Sequence, residues 1–192
     1  MKKLFALLLA LTLIFTVFSL AGCGKKKEKP VDPTTTQEAV TEAPKAGAVK
    51  HDGWTDHDLS DKAHIQYDPA SVQPADFGNI EATDGSWAMD TFNFAKTAEK
   101  GESYHSYIGT NSSRGHDAVE GKKTIGAYDY ETVTYEVGEG EEATQEFVYV
   151  AAFDAPAKVG DVEIYAAYFR FVAKDASAAS AIESVLETLT FA

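Results

Sequence analysis

Hydrophobic positions change period several times along this chain. Leu4 to Leu20 is apolar and uncharged behind Lys2 and Lys3. Residues 24–50 lose the pattern: Pro30, Pro33, Pro44, the run Thr34-Thr35-Thr36 and scattered valines cannot bury enough surface to offset their ordering entropy. Period two then begins. Ala63–Tyr67, ended by Asp68-Pro69, reads as a strand, and so does Ser86–Phe94, which brings Trp87, Met89 and either Phe92 or Phe94 to a core. Thr124–Val137, rich in Tyr and β-branched residues, reads as one long strand, followed by an exposed turn at Glu139–Glu142. Gln145–Phe153 places Phe147, Tyr149, Ala151 and Phe153 on one face, and after a connection at Pro156–Gly160 the segment Asp161–Ala173 does the same with Tyr165, Ala167, Phe169 and Phe171. These three segments, joined by short Gly or Pro connections, predict an antiparallel meander. The period finally becomes helical: Asp175 or Ser177 caps a helix in which Ala178, Ala181, Ile182, Val185, Leu186 and Leu189 recur at i, i+3, i+4 and i+7, with Glu183 and Glu187 on its other side.

The expected fold is therefore α+β, an antiparallel sheet packed against helices, with the C-terminal helix covering the aromatic face of the last strands and Phe191 closing the packing behind it. Residues 51–192 are long enough for one domain with its own core. No internal repeat is visible.

The N-terminal run ends in Leu20-Ala21-Gly22-Cys23, and Cys23 is the sole cysteine. At about 1.5 Å per residue the run spans roughly 26 Å, short for a transmembrane helix, and the small residues before the cysteine resemble a bacterial lipobox. That resemblance implies a signal peptide over residues 1–22, diacylglyceryl transfer to the Cys23 thiol and cleavage before it. Two or more acyl chains anchor durably at about 0.8 kcal/mol per buried methylene. The mature chain is then expected on the extracytoplasmic face of a cell membrane, its only thiol occupied, so that a thiol nucleophile, a disulfide and a thiolate metal site are excluded. Residues 23–50 read as the lipidated cysteine and a flexible tether with a root-mean-square reach of roughly 30 Å.

The strand pair, the run Tyr165-Ala-Ala-Tyr-Phe-Arg-Phe171 and the ending Ile182-Glu-Ser-Val-Leu-Glu-Thr-Leu-Thr-Phe191 are similar in pattern to the C-terminal half of the PsbP-like family. The likeness covers about 70 residues. It implies an α/β/α sandwich and, since that family includes extracytoplasmic lipoproteins and accessory proteins, assembly or binding work; it brings no catalytic residues.

Charge sharpens this picture. Residues 24–50 carry a net of +2, including Lys25-Lys26-Lys27, whereas residues 51–192 hold nine Lys or Arg against twenty-six Asp or Glu, a net of −17. The lysines favour anionic headgroups at about 1 kcal/mol each while the acidic domain is repelled from them. Nucleic acid is excluded as a partner, because backbone contacts require a cationic face.

The densest group of metal-ligand types is His51, Asp52, Asp56, His57, Asp58 and His64. Imidazole with carboxylate suits zinc, and the acids suit calcium, if the loop folds them together. The calcium-loop pattern itself is not met: counting from Asp56, Asp61 stands where Gly is needed and Tyr67 where Glu is needed. A solvated junction with Trp54 as a plug is the alternative. A second group, Ser112-Ser113-Arg114-Gly115-His116-Asp117 after Tyr104-His105-Ser106-Tyr107, holds serine, histidine and acid and reads as loop; a triad is defined by geometry, not by adjacency. There is no G-x-S-x-G elbow and no H-E-x-x-H. Arg170, the cation of an apolar strand, is expected to pair with nearby acids or to receive an anion. These observations favour a non-enzymatic binding or accessory domain with a protein, cell-wall polymer or small-molecule partner, the alternatives being an envelope hydrolase and a divalent-metal-binding lipoprotein.

Overall fold

The computed structural model describes residues 48–191. The lipobox residues Leu20, Ala21, Gly22 and Cys23 and the tether up to residue 47 lie outside the described residues. The described residues form ten strands and two α-helices: β1 (Thr55–Ser60), β2 (Ala63–Tyr67), β3 (Val72–Pro74), β4 (Ile80–Ala82), β5 (Trp87–Ala95), α1 (Ala98–Ser112), β6 (His116–Ile125), β7 (Tyr128–Val137), β8 (Thr144–Val159), β9 (Val162–Ala173), α2 (Ala179–Leu186) and β10 (Thr190–Phe191). This is an α+β fold dominated by antiparallel sheet. One sheet has seven strands in the order β3-β4-β5-β9-β8-β7-β6, and a smaller one has the order β1-β2-β10. After β5 the chain crosses through α1 to the far edge and returns as the meander β6 to β9, so that β9 closes against β5.

Several boundaries differ from the sequence reading. Thr124–Val137 is not one strand: Gly126, at φ 58°, and Ala127 form a two-residue turn, with Ile125 paired to Tyr128. Pro156 does not end β8. The strand runs on to Val159 past an irregularity between Ala152 and Ala157, and the hairpin turns at Gly160-Asp161. Opposite that irregularity strict alternation fails, and Tyr165 packs with the cluster under α1 instead of sharing the face of Ala167, Phe169 and Phe171. The group read as loop around Tyr104–Tyr107 and Ser112–Asp117 is divided between two elements: Ala98–Ser112 is a helix capped by Thr97, whose side chain accepts from the Lys100 amide, and His116 and Asp117 begin β6.

Alternate residues of β8 and β9 feed different cores. Phe147, Tyr149 and Ala151 with Ala167, Phe169 and Phe171 belong to the large cluster that also contains Ile182, Val185 and Leu186 of α2 and Ala63, Ile65 and Tyr67 of β2. Val148, Val150, Ala166 and Tyr168 belong to the second cluster, with Tyr104 and Ile108 of α1. Each helix therefore roofs one face of the seven-stranded sheet. Asp175 caps the turn leading into α2 by accepting from the Ser177 amide at 2.8 Å. Of the apolar stripe read for this helix, only Ala181 is exposed. Glu183 and Glu187 are not free on the far side either: Glu183 pairs with Lys123 and Glu187 with His51. At the end of α2 the buried Thr188 hydroxyl accepts from the Gln66 amide at 2.7 Å, fastening helix to small sheet.

A β-bulge in β5 shapes the second face. Met89 pairs with Phe171 and Thr91 with Arg170, leaving Asp90 as the extra residue. The phase of the strand flips there. Trp87 and Met89 before the bulge and both Phe92 and Phe94 after it face the α2 core, while Thr91 and Asn93 are turned toward the α1 side and Asp90 is brought to the Arg170 guanidinium.

Candidate functional site

A cavity of about 420 Å³ lies between α1 and the β5–β9 pair. Its wall is a stripe along α1 and just beyond it, Lys100, Tyr104, Tyr107, Asn111 and Arg114, with Thr110 beside it. The spacing of 4, 3, 4 and 3 keeps these side chains on one face. Its floor is Thr91 and Asn93 of β5 with Tyr168 and Arg170 of β9, which are register pairs Thr91–Arg170 and Asn93–Tyr168. Among the described residues no carboxylate lines it.

The floor is held rigidly. Arg170 donates from Nε to Asp90 Oδ2 at 2.9 Å and also pairs with Glu146, whose other contact is the Tyr135 hydroxyl at 2.6 Å. Partial burial works against the Asp90 carboxylate, yet hydrogen bonds from Thr91 and Arg170 and the guanidinium charge outweigh it and hold the group below its usual range. Arg170 thus meets the expectation of nearby acids. The wall is different. Lys100 lies over the rings of Tyr104 and Tyr107, 5.1 and 5.7 Å from their centroids, and donates to the Tyr107 hydroxyl at 3.4 Å. Among the described residues neither Lys100 nor Arg114 has a carboxylate within ion-pair distance.

Two neutral groups in the cavity are also incompletely satisfied. Tyr104 is 4% exposed, and its hydroxyl has no hydrogen-bond partner among the described residues; burial and the neighbouring phenols raise its pKa, so it is a neutral donor. Asn111 is 3% exposed and makes one long bond, 3.4 Å, from Nδ2 to the Tyr168 hydroxyl. Neither group is sealed from solvent, so water or a ligand entering the cavity can meet it.

The sequence-predicted ligand set is not brought to one point. His51 stacks on Trp54 at 4.1 Å and bonds through Nε2 to Glu187 Oε1 at 2.8 Å, while the neighbouring Val49 amide donates to the Glu187 carbonyl. His57 bonds to the Gly78 carbonyl at 2.8 Å, His64 to Asp58 at 2.6 Å, and Asp56 accepts from Gln66 at 2.8 Å; Asp52 is exposed. The triad candidates separate too. His105 pairs with Glu131 and His116 with Asp117 near Glu136, five positions apart along β7, or roughly 17 Å at strand rise. Ser106, Ser112 and Ser113 each donate to a backbone carbonyl of α1.

Sequence reasoning missed one cluster. His116, Asp117 and Glu136 bring a ligand atom each to within 4.8 Å of one another on the surface, with Asp117 at φ 53°. The Gly138 carbonyl at 3.0 Å, followed by the Asp117 carboxylate, raises the His116 pKa. Those contacts favour an imidazolium donating from both nitrogens, which leaves no lone pair for a metal ion. The cleft was missed as well. Its only sequence signal is the polar helical spacing Lys100, Tyr104, Tyr107, Asn111, Arg114, which a search for apolar periodicity passes over.

No family model and no curated protein matches the chain. A crystal structure from Bacteroides thetaiotaomicron VPI-5482, solved at 1.50 Å resolution, is similar at 13% identity and a TM-score of 0.37, over 73% of this chain. The chain spans 42% of the length of that protein. No helix among the described residues is long and apolar enough to cross a membrane.

Proposed function

We propose that this protein is a lipid-anchored extracytoplasmic binding protein, held by Cys23 behind the Leu20-Ala21-Gly22 recognition residues, whose domain takes a small ligand in the cleft beside α1. The helices on opposite faces of the sheet support a PsbP-like α/β/α arrangement as the finer description of the fold. The binding reading is carried by one observation: the Tyr104 hydroxyl and the Asn111 amide, the accessible tips of two otherwise buried residues, both open on a cavity with hydrogen-bonding capacity to spare. A cavity of this size with a few convergent polar groups is the usual form of a small-molecule site. The hydrolase alternative needs a serine within reach of a histidine, and the serines of Ser106, Ser112 and Ser113 point their hydroxyls to helix carbonyls instead.

Two measurements test the proposal. Fatty-acid labelling of the cell-expressed protein is expected to vanish in Cys23→Ser; labelling that persists in that variant rejects the anchor. A thermal-shift screen of the detergent-solubilised full chain against sugars, amino acids, nucleotides and divalent ions is expected to find stabilising small molecules, since a ligand at 100 times its Kd adds about 2.7 kcal/mol to the native state. Protection that survives both Lys100→Gln and Arg114→Gln and is also indifferent to Tyr104→Phe rejects the cleft. Stabilisation by zinc or calcium, lost in His64→Gln or His116→Gln, supports the metal-binding alternative instead.

A further inference from the structure

The cleft also specifies a class of ligand, an inference that rests on the binding reading above. We infer that it takes an oxyanion-bearing saccharide of one or two rings, a sugar acid or a sugar phosphate. The first ground is where the cations are. Residues 51–192 have nine Lys or Arg, and three of them, Lys100, Arg114 and Arg170, border this one cavity in a domain of net charge −17. The three do different work. Arg170 is neutralised by Asp90 and Glu146 and forms part of the floor. Lys100 and Arg114 have no acidic partner among the described residues, and they stand in the first turn of α1 and just past its end, roughly 20 Å apart at helical rise, at the two ends of the wall. An anion entering at either end meets an uncompensated charge, and Arg114 offers the planar fork that matches carboxylate or phosphate.

The second ground is the stretch between those ends. Tyr104 and Asn111, both more than nine-tenths buried, present an unpaired hydroxyl and an amide with a single long bond, and Thr91, Asn93 and Thr110 add further hydroxyl and amide groups. That lining complements several hydroxyls on one molecule better than it complements a bare ion. The rings of Tyr104, Tyr107 and Tyr168, with mutual centroid distances of 5.7 Å, supply the apolar surface that the carbon face of a sugar ring needs. Size and field set the upper limit. About 420 Å³ accommodates one or two rings, and the surrounding negative charge opposes a polyanion, whose many charges would lie outside the cleft.

Calorimetric titration of the detergent-solubilised full chain separates the arms. The probes are glucuronate and galacturonate, glucose 6-phosphate, neutral glucose and inorganic phosphate, each at low and at physiological salt. At least one charged sugar is expected to bind ten-fold or more tightly than both glucose and inorganic phosphate; the uronates and the phosphate ester then decide which oxyanion is the preferred one. Arg114→Gln or Lys100→Gln, both exposed positions, is expected to weaken that ligand ten-fold or more, and Lys158→Gln, elsewhere on the surface, to leave it unchanged. Glucose binding as tightly as its charged analogues, inorganic phosphate matching the sugar phosphate, or indifference to both cleft substitutions overturns the inference. If no saccharide binds but another compound is held in an Arg114- or Tyr104-dependent way, the ligand class fails and the binding reading stands. If nothing in the wider screen binds at all, both fail.

Discussion

The two faces of the seven-stranded sheet are built from alternate residues of the same strands, yet they are finished differently. On the α2 side Phe147, Tyr149, Phe169 and Phe171 meet Ile182, Val185 and Leu186 in a continuous aromatic and aliphatic core. On the α1 side the helix contributes Tyr104, Ile108, Asn111 and Gly101 as its buried residues, and its polar stripe stands off β5 and β9 to leave the cleft. The α2 face answers the need for apolar burial. The α1 face gives up part of that burial and leaves polar groups on an open cavity, and the bulge at Asp90 is what turns Thr91 and Asn93 toward it.

The widest difference is expected in truncations. Leu186→Ala on the sealed face should cost about 4–5 kcal/mol and Ile108→Ala on the α1 face about 2–3 kcal/mol, because Ile108 borders an open pocket beside His105 and Glu131 from which water can fill the space left behind. Urea denaturation measures both, and equal losses would break the comparison. Gly126→Ala comes next. The turn sits at φ 58° and a Cβ there would overlap the Glu187 backbone at the end of α2, so the strain should cost about 1–3 kcal/mol. One flaw on the sealed face gives a change of opposite sign. Tyr130 is 1% exposed and its hydroxyl is buried without a partner, so Tyr130→Phe should raise stability by about 1 kcal/mol, and a loss would show that the phenol is satisfied after all.

Proton linkage supplies the finer tests. Because the native Asp90 pKa is depressed, its contribution is complete above the unfolded value of about 3.9 and is lost as pH falls through the native one. The stability gap between the native protein and Asp90→Asn should therefore be flat near neutrality and close in acid. His116 runs the other way. Its pKa is raised above 6.5, so its small contribution is present below that value and disappears as pH rises through the native midpoint, which an NMR titration of the ring protons should place above 6.5. A midpoint at or below 6.5 would remove the case for an imidazolium there.

The sequence was readable wherever one periodicity and one burial demand agreed. Ala63–Tyr67, the β9 stripe from Ala167 to Phe171 and the α2 residues Ile182, Val185 and Leu186 are such cases. It was not readable where exposure, a bulge or a polar stripe interrupts the pattern. All but the last residue of β6 is exposed, leaving no alternation to detect. The Asp90 bulge lets both Met89 and Phe92 face one core, which a strict period of two forbids. The α1 stripe is Lys, Tyr, Tyr, Asn and Arg, so the helix that walls the cleft lacks an apolar signature. The histidines were conspicuous because they are close in sequence, but the segment before β1, β1 and β2 each carry one of them to a separate partner.

The clasp at Glu187 has a mechanical meaning. The Val49 amide holds the Glu187 carbonyl and His51 its carboxylate, just ahead of β1. Under the proposed anchoring, tension along the tether reaches this clasp before it reaches any strand. These two bonds and a third from the His51 amide to the Gln66 side chain at 3.1 Å are fewer than the ladder that must break to peel β1 from β2. On that proposal the clasp is a release link, which under load would let residues 49–54 run out while β1 to β10 stay folded.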